Sequence, residues 1–190
     1  MRKLRLIQYN STSHYAVYIV DNFLKEDYRK KVLDKLKELT KVDVMRKSTN
    51  VHATMTHYTE LLKHDVFKDM FLQTIELLQM FFTLRASAPN APYEYVIDEA
   101  WGMKHEKGDK TLTHIHGDFF SCAYYPRVPG ETIIGFPDFD RNEKILENSL
   151  YIFHGLTKHG VAKQLYDEPR YSIAFNIAQN NLKIANNNDK

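Results

Sequence analysis

The apolar positions of this chain change period near residue 92. From Lys25 to Lys41, Tyr28, Val32, Leu33, Leu36 and Leu39 return every three or four residues with charges between them. That is the pattern of an amphipathic helix with one buried stripe. A second helix is predicted over Glu60–Leu84, where Leu61, Leu62, Phe67, Met70, Phe71, Ile75, Leu78 and Phe82 form a broad apolar face. One strand precedes both helices: Tyr15–Val20 is apolar and β-branched, and Asp21-Asn22 close it. Residues 86–92, with Pro89 and Pro92, break the helical texture.

Beyond that break, β-forming residues come in short runs separated by Gly, Pro, Asn and Asp. The predicted strands are Glu94–Ala100, Thr111–His116, Phe119–Tyr125, Glu131–Phe136, Ser149–Phe153, His159–Leu165 and Arg170–Ala178. In the last, Tyr171, Ile173, Phe175 and Ile177 alternate with Arg170, Ser172, Ala174 and Asn176. One face is apolar and suited to pack under the helices; the other is polar or small and looks into the fold. A polar interior is costly unless it holds a ligand. The expected fold is mainly β with N-terminal helices (α+β), its core a double-stranded β-helix, or jelly roll. It forms a single domain over 1–190: residues 1–92 mostly helical support, 93–178 the core, and 186–190 a frayed polar tail.

Composition narrows the function classes. With 43% hydrophobic and 26% charged residues the chain reads as globular, and 190 residues suffice for one substantial core. A net charge of +2 gives no strong nucleic-acid signal. The basic excess of 25–47, nine Lys/Arg against five Asp/Glu, fits the solvated face of the first helix. One cysteine, Cys122, cannot form an internal disulfide, which suits a reducing compartment. No apolar run nears the roughly 18 residues of a membrane span. The start, Met1-Arg2-Lys3-Leu4-Arg5, lacks the apolar core of a secretory signal. A cytoplasmic location without membrane partners is expected.

Three segments carry the candidate chemistry: Thr113-His114-Ile115-His116-Gly117-Asp118, His159 after Leu156-Thr157-Lys158, and Arg170-Tyr171-Ser172. Two imidazoles and a carboxylate on one face make the ligand set that selects non-haem Fe(II) and leaves coordination positions open. In a strand, His114, His116 and Asp118 project to one side. A rise of about 3.3 Å per residue separates 114 from 118 by roughly 13 Å. One ion therefore takes His116 with Asp118, or His114 with His116. The first pairing is favoured because an anionic ligand offsets the metal's charge, and His159 completes either set. Arg170, with the Ser172 hydroxyl beside it, suits the far carboxylate of a dicarboxylic co-substrate through two parallel charge-assisted bonds. His14, His52, His57, His64 and His105 carry no pattern. Trp101, Met103 and the Tyr124-Tyr125 pair suit either a substrate pocket or an aromatic core.

These residues resemble those of the 2-oxoglutarate- and Fe(II)-dependent oxygenases, in particular a small bacterial and phage group among them. The matching pieces are Trp101, His114-Ile115-His116, Ser121-Cys122-Ala123-Tyr124-Tyr125, Phe136-Pro137-Asp138, Phe153, Leu156-Thr157-Lys158-His159-Gly160-Val161 and Arg170-Tyr171-Ser172-Ile173-Ala174-Phe175-Asn176, within residues 95–178. Gly117-Asp118 stands where the group has Pro, which leaves Asp118 and His114 both open as the third ligand. Cys122 and Ala123 replace a Gly region, and His154 stands where Pro is usual. The resemblance implies Fe(II) held by His116, Asp118 and His159, with His114 competing. It also implies 2-oxoglutarate as co-substrate, its C5 carboxylate held by Arg170 and Ser172 with Tyr124 or Tyr125 as an extra donor. Dioxygen and an unidentified substrate complete the reaction, a hydroxylation coupled to decarboxylation of 2-oxoglutarate to succinate. Two other readings stand beside it: a cupin-type metalloenzyme using His114, His116 and His159 without 2-oxoglutarate, and a non-catalytic jelly-roll binding protein.

Overall fold

The computed structural model describes residues 1–8, 16–41, 45–46, 50–83 and 93–181; the predicted breaker at 86–92 and the tail at 186–190 lie outside them. Two antiparallel sheets face each other. The larger is built from β1 (Lys3–Gln8), β2 (Ala16–Asp21), β11 (Ser149–His154), β8 (Phe120–Arg127), β13 (Arg170–Asn181), β6 (Tyr93–His105), β5 (Thr54–Met55) and β3 (Met45–Arg46), in that spatial order. The smaller runs β10 (Arg141–Lys144), β9 (Ile133–Phe136), β12 (His159–Val161), β7 (Lys110–His114) and β4 (Val51–His52). Helices α1 (Glu26–Leu39) and α2 (Lys68–Thr83) complete the described elements. None of the described helices is long and apolar enough to cross a membrane.

Alternation along the strands sorts the interior into two layers. Tyr124, Leu150, Ile173, Phe175 and Ile177 point to the outer face of the large sheet and pack with Val32, Leu36, Phe67, Met70 and Leu78. Between the sheets lie Val17, Ile19, Tyr125, Ile134, Phe136, Tyr151, Phe153 and Val161. Helix α1 buries Val32, Leu33, Leu36 and Leu39 and places Glu26 and Asp27 in its first turn, where negative charge complements the helix dipole. It lies close on the sheet because β6 offers Gly102 there: a Cβ at that position would run into the Leu36 side chain.

The first 92 residues contribute more strand than the helical pattern suggested. Beside the predicted strand, β1 pairs antiparallel with β2 from Lys3 opposite Asp21 to Gln8 opposite Ala16. Its basic residues hid it: Arg5 pairs with both Asp21 and Glu143, so the charge is spent across the sheet edge. The second helix begins at Lys68 rather than Glu60. His64 is extended, with φ −120° and ψ 117°, and separates 3₁₀ turns at Glu60–Lys63 and Asp65–Phe67. Strand β10, Arg-Asn-Glu-Lys, was not predicted; it is a mostly exposed edge strand whose polar side chains give no alternation to read.

Candidate metal centre and anion pocket

The facing sheets enclose a cavity lined by Trp101, Met103 and His105 of β6, Ser121, Ala123 and Tyr125 of β8, Arg170, Ser172, Ala174 and Asn176 of β13, and Thr111, His114, His116, Phe153 and His159. Strands β6 and β13 supply every second residue, as the pleat requires. Among the described residues one group of potential metal donors stands here: His114, His116 and His159, whose ligating atoms all lie within 4.8 Å of one another.

Strand pairing makes this group. His159 on β12 lies directly opposite His114 on β7, with ring centroids 4.3 Å apart. Strand β7 ends at His114, and the chain is then pinned by His116 N–H donating to the Gly155 carbonyl at 2.8 Å and Gly155 N–H donating to the Phe119 carbonyl at 3.1 Å. His116 thereby meets the other two rings, at 4.8 Å from His114 and 5.2 Å from His159. The bend also takes Asp118 out of the strand alternation that would have aligned it with His116. Asp118 is half-buried and is not part of the group; burial and the nearby Asp98 carboxylate push its carboxyl above the usual range.

The imidazoles are oriented for a cation. His114 Nδ1 donates to the Leu112 carbonyl at 2.8 Å, and His159 Nδ1 donates to the Thr157 carbonyl at 2.9 Å. A carbonyl only accepts, so both rings carry the proton on Nδ1 and present a bare Nε2, the arrangement that orients metal-bound histidines. His114 Nε2 and His116 Nε2 face each other at 3.1 Å. Burial lowers all three, His116 to about 4 and His159 to about 3, with His114 adding repulsion to both. Three neutral imidazoles are a donor set suited to Fe, Zn, Cu or Ni.

Gly155 makes the pinning bend possible, since a Cβ there would collide with the Asp118 carbonyl. Gly155→Ala is expected to cost about 1–3 kcal/mol through overpacking. It should weaken metal binding roughly tenfold or more by displacing His116. Metal titration beside thermal melting checks this; unchanged metal affinity would show that the bend does not position His116.

Arg170 stands in the same cavity with no exposure at all, and its Nε, Nη1 and Nη2 have no hydrogen-bond partner among the described residues. Burial lowers its pKa from the ordinary value, and Tyr125 and Asp109 partly counter this. Ser172, on the face of β13 expected to look inward, and Tyr125 of β8 line the cavity beside it. Tyr125 is buried and pushed up to about 12 by desolvation, so it is a neutral donor. Tyr124 faces the other way and donates from its hydroxyl to Asn148 Oδ1 at 2.9 Å within the helix-facing core.

His105, passed over in the sequence, also lines the cavity. The signal was the period of two on β6, since Trp101, Met103 and His105 share a face. Its imidazole is 1% exposed, and burial, then the Arg170 cation, hold it well below the usual histidine range. The unfolded chain titrates near 6.5. From there down to the lower folded value the unfolded state binds the extra proton, so stability is lost as pH falls through that window. The expected slope is at most about 1.4 kcal/mol per pH unit for this one proton. Denaturant titrations at pH 7 and pH 5 should show it, with a smaller pH effect in His105→Asn; equal slopes would contradict the assignment.

No protein-family model matches the chain, and no curated protein does. Solved structures do match. The viral collagen prolyl hydroxylase of Paramecium bursaria Chlorella virus-1, in complex with 2-oxoglutarate, aligns with a TM-score of 0.63 at 14% identity over 87% of this chain and 96% of its own. A prolyl hydroxylase of Trichoplax adhaerens, solved with a hypoxia-inducible-factor peptide, aligns at 0.64 with 15% identity over 85% and 83%. HygX of Streptomyces hygroscopicus, with nickel and 2-oxoglutarate bound, aligns at 0.58 with 12% identity over 85% and 82%. At these identities the likeness is one of fold: the chain has the mainly β, jelly-roll fold of the 2-oxoglutarate-dependent oxygenases.

Proposed function

We propose that this protein is an Fe(II)- and 2-oxoglutarate-dependent oxygenase that hydroxylates a substrate still to be identified. The observation that carries the reading is Arg170. A guanidinium with no exposure and no acceptor among the described residues leaves a large desolvation penalty unmet. An anionic ligand in the cavity meets it.

Iron would be held by Nε2 of His114, His116 and His159. The competing pairing is favoured over His116 with Asp118 because the ligating atoms of His114, His116 and His159 lie within 4.8 Å of one another and Asp118 stands outside that group. Bound iron with 2-oxoglutarate would supply the oxidative chemistry, with dioxygen consumed and succinate and carbon dioxide released. The residues of the chain bind and orient. The three imidazoles are neutral at pH 7, so metal need not displace protons from them. They add no negative charge, so any anionic oxygen at the metal would come from the ligand. Arg170 takes the distal carboxylate, with Ser172 and Tyr125 as neutral donors; Tyr124 has no part in it. Phe153 against the His159 ring, at 4.5 Å between centroids, and Trp101 near His116, at 6.0 Å, keep water from the metal side.

Ligand choice is tested by substitution. Asp118→Asn should leave iron affinity within about threefold of the parent, whereas His114→Ala should lower it at least a hundredfold, since loss even of an outer-shell partner costs about 10–100-fold. The reverse ranking would restore Asp118 as the ligand. The all-imidazole donor set also favours a second reading, a metalloenzyme that does not use 2-oxoglutarate. Succinate release that requires both iron and 2-oxoglutarate decides for the first; metal binding without succinate release decides for the second.

A further inference from the structure

Arg170 does not stand alone at its end of the cavity. In the β6–β13 ladder its Cα partner is His105, and directly opposed side chains on one face approach within about 4.5–5.5 Å at Cβ. Nδ1 of His105 is buried and has no partner among the described residues, while Nε2 lies 3.3 Å from Thr111 Oγ1. A core histidine with only a packing role would have both nitrogens satisfied. Here the one left open belongs to a residue that lines the cavity next to three equally open guanidinium nitrogens.

Resting on the oxygenase reading, we propose that His105 is a second donor to the distal carboxylate of the bound keto acid, sharing it with Arg170 and making the pocket selective for ligands that carry that group. An anion beside Arg170 selects the tautomer with the proton on Nδ1. The Thr111 hydroxyl then donates to Nε2 and holds the ring in place. Two features make an imidazole apt. It is neutral, so it adds a donor without setting a second buried cation against Arg170, as a Lys would. It is also rigid on a paired strand, so its N–H is already aimed before the ligand arrives.

The test is calorimetric titration of the Mn(II)-loaded protein, under argon, with 2-oxoglutarate and with 2-oxobutyrate, which has the same keto-acid head but no distal carboxylate. His105→Leu should weaken 2-oxoglutarate about tenfold to a hundredfold, the loss expected for a hydrogen bond to a charged group. It should leave 2-oxobutyrate within about twofold of the parent. His105→Asn, whose amide N–H can stand near the position of Nδ1, should recover 2-oxoglutarate to within roughly threefold. Melting of both variants is measured alongside. Unchanged 2-oxoglutarate affinity in His105→Leu overturns the proposal, and so does an equal loss for both keto acids, which would mean a damaged site rather than a missing donor. Failure of the oxygenase reading is visible separately, as a parent protein that binds neither keto acid.

Discussion

Replacing Arg170 with Met is expected to make the protein more stable and to abolish its response to 2-oxoglutarate. The buried guanidinium has no acceptor among the described residues. Met has a similar length and no polar group. Removing an uncompensated buried charge should raise stability by about 1–3 kcal/mol, roughly 2–12 °C in melting temperature for a chain of this length. Affinity for 2-oxoglutarate should fall at least a hundredfold, because a bidentate charge-assisted pair is lost from a desolvated site. Melting without ligand, and again with saturating 2-oxoglutarate, checks both halves. The parent should gain stability from the ligand and the variant should not. A variant less stable than the parent and still stabilised by 2-oxoglutarate would show that Arg170 is a structural cation.

His159→Ala should remove iron and with it all succinate release above background. The imidazole is 6% exposed, packs against Phe153, lies opposite His114 across the ladder and is fixed through the Thr157 carbonyl. No neighbouring side chain of the group can take its place without breaking that ladder. The expected loss in iron affinity is at least a hundredfold, more than the roughly 10–100-fold typical of an outer-shell partner. Iron content after dialysis, with succinate measured on the same samples, tests it. Full activity in this variant would exclude any role for the three-histidine group.

How much of this could be read from the sequence differs residue by residue. The alternation Arg170, Ser172, Ala174, Asn176 against Tyr171, Ile173, Phe175, Ile177 gave both faces of β13, because a period of two on a fully paired strand admits one assignment. At Tyr124-Tyr125 the same rule says that one points inward and not which; that depends on how β8 sits against β11 and β13. The meeting of His159 with His114 depends on register between β7 and β12, set by pairing 45 residues apart in the sequence. That His114 rather than Asp118 stands with His116 and His159 follows from the end of β7 at His114 and the bend after it, which Gly155 holds from another segment. Strand β1 was masked by charges whose partners, Asp21 and Glu143, come together only in the fold. His105 was readable in principle from Trp101 and Met103, but a lone histidine without a motif gives no reason to look until its open nitrogen is found beside Arg170.

The most direct test of the central claim is anaerobic addition of Fe(II) and 2-oxoglutarate to the metal-free protein, followed in the visible spectrum. A keto acid chelated to iron that keeps open positions gives a weak charge-transfer band that neither component gives alone. The parent protein should show that band, and Arg170→Met and His159→Ala should not. Iron bound by the parent with no band on adding 2-oxoglutarate would contradict it.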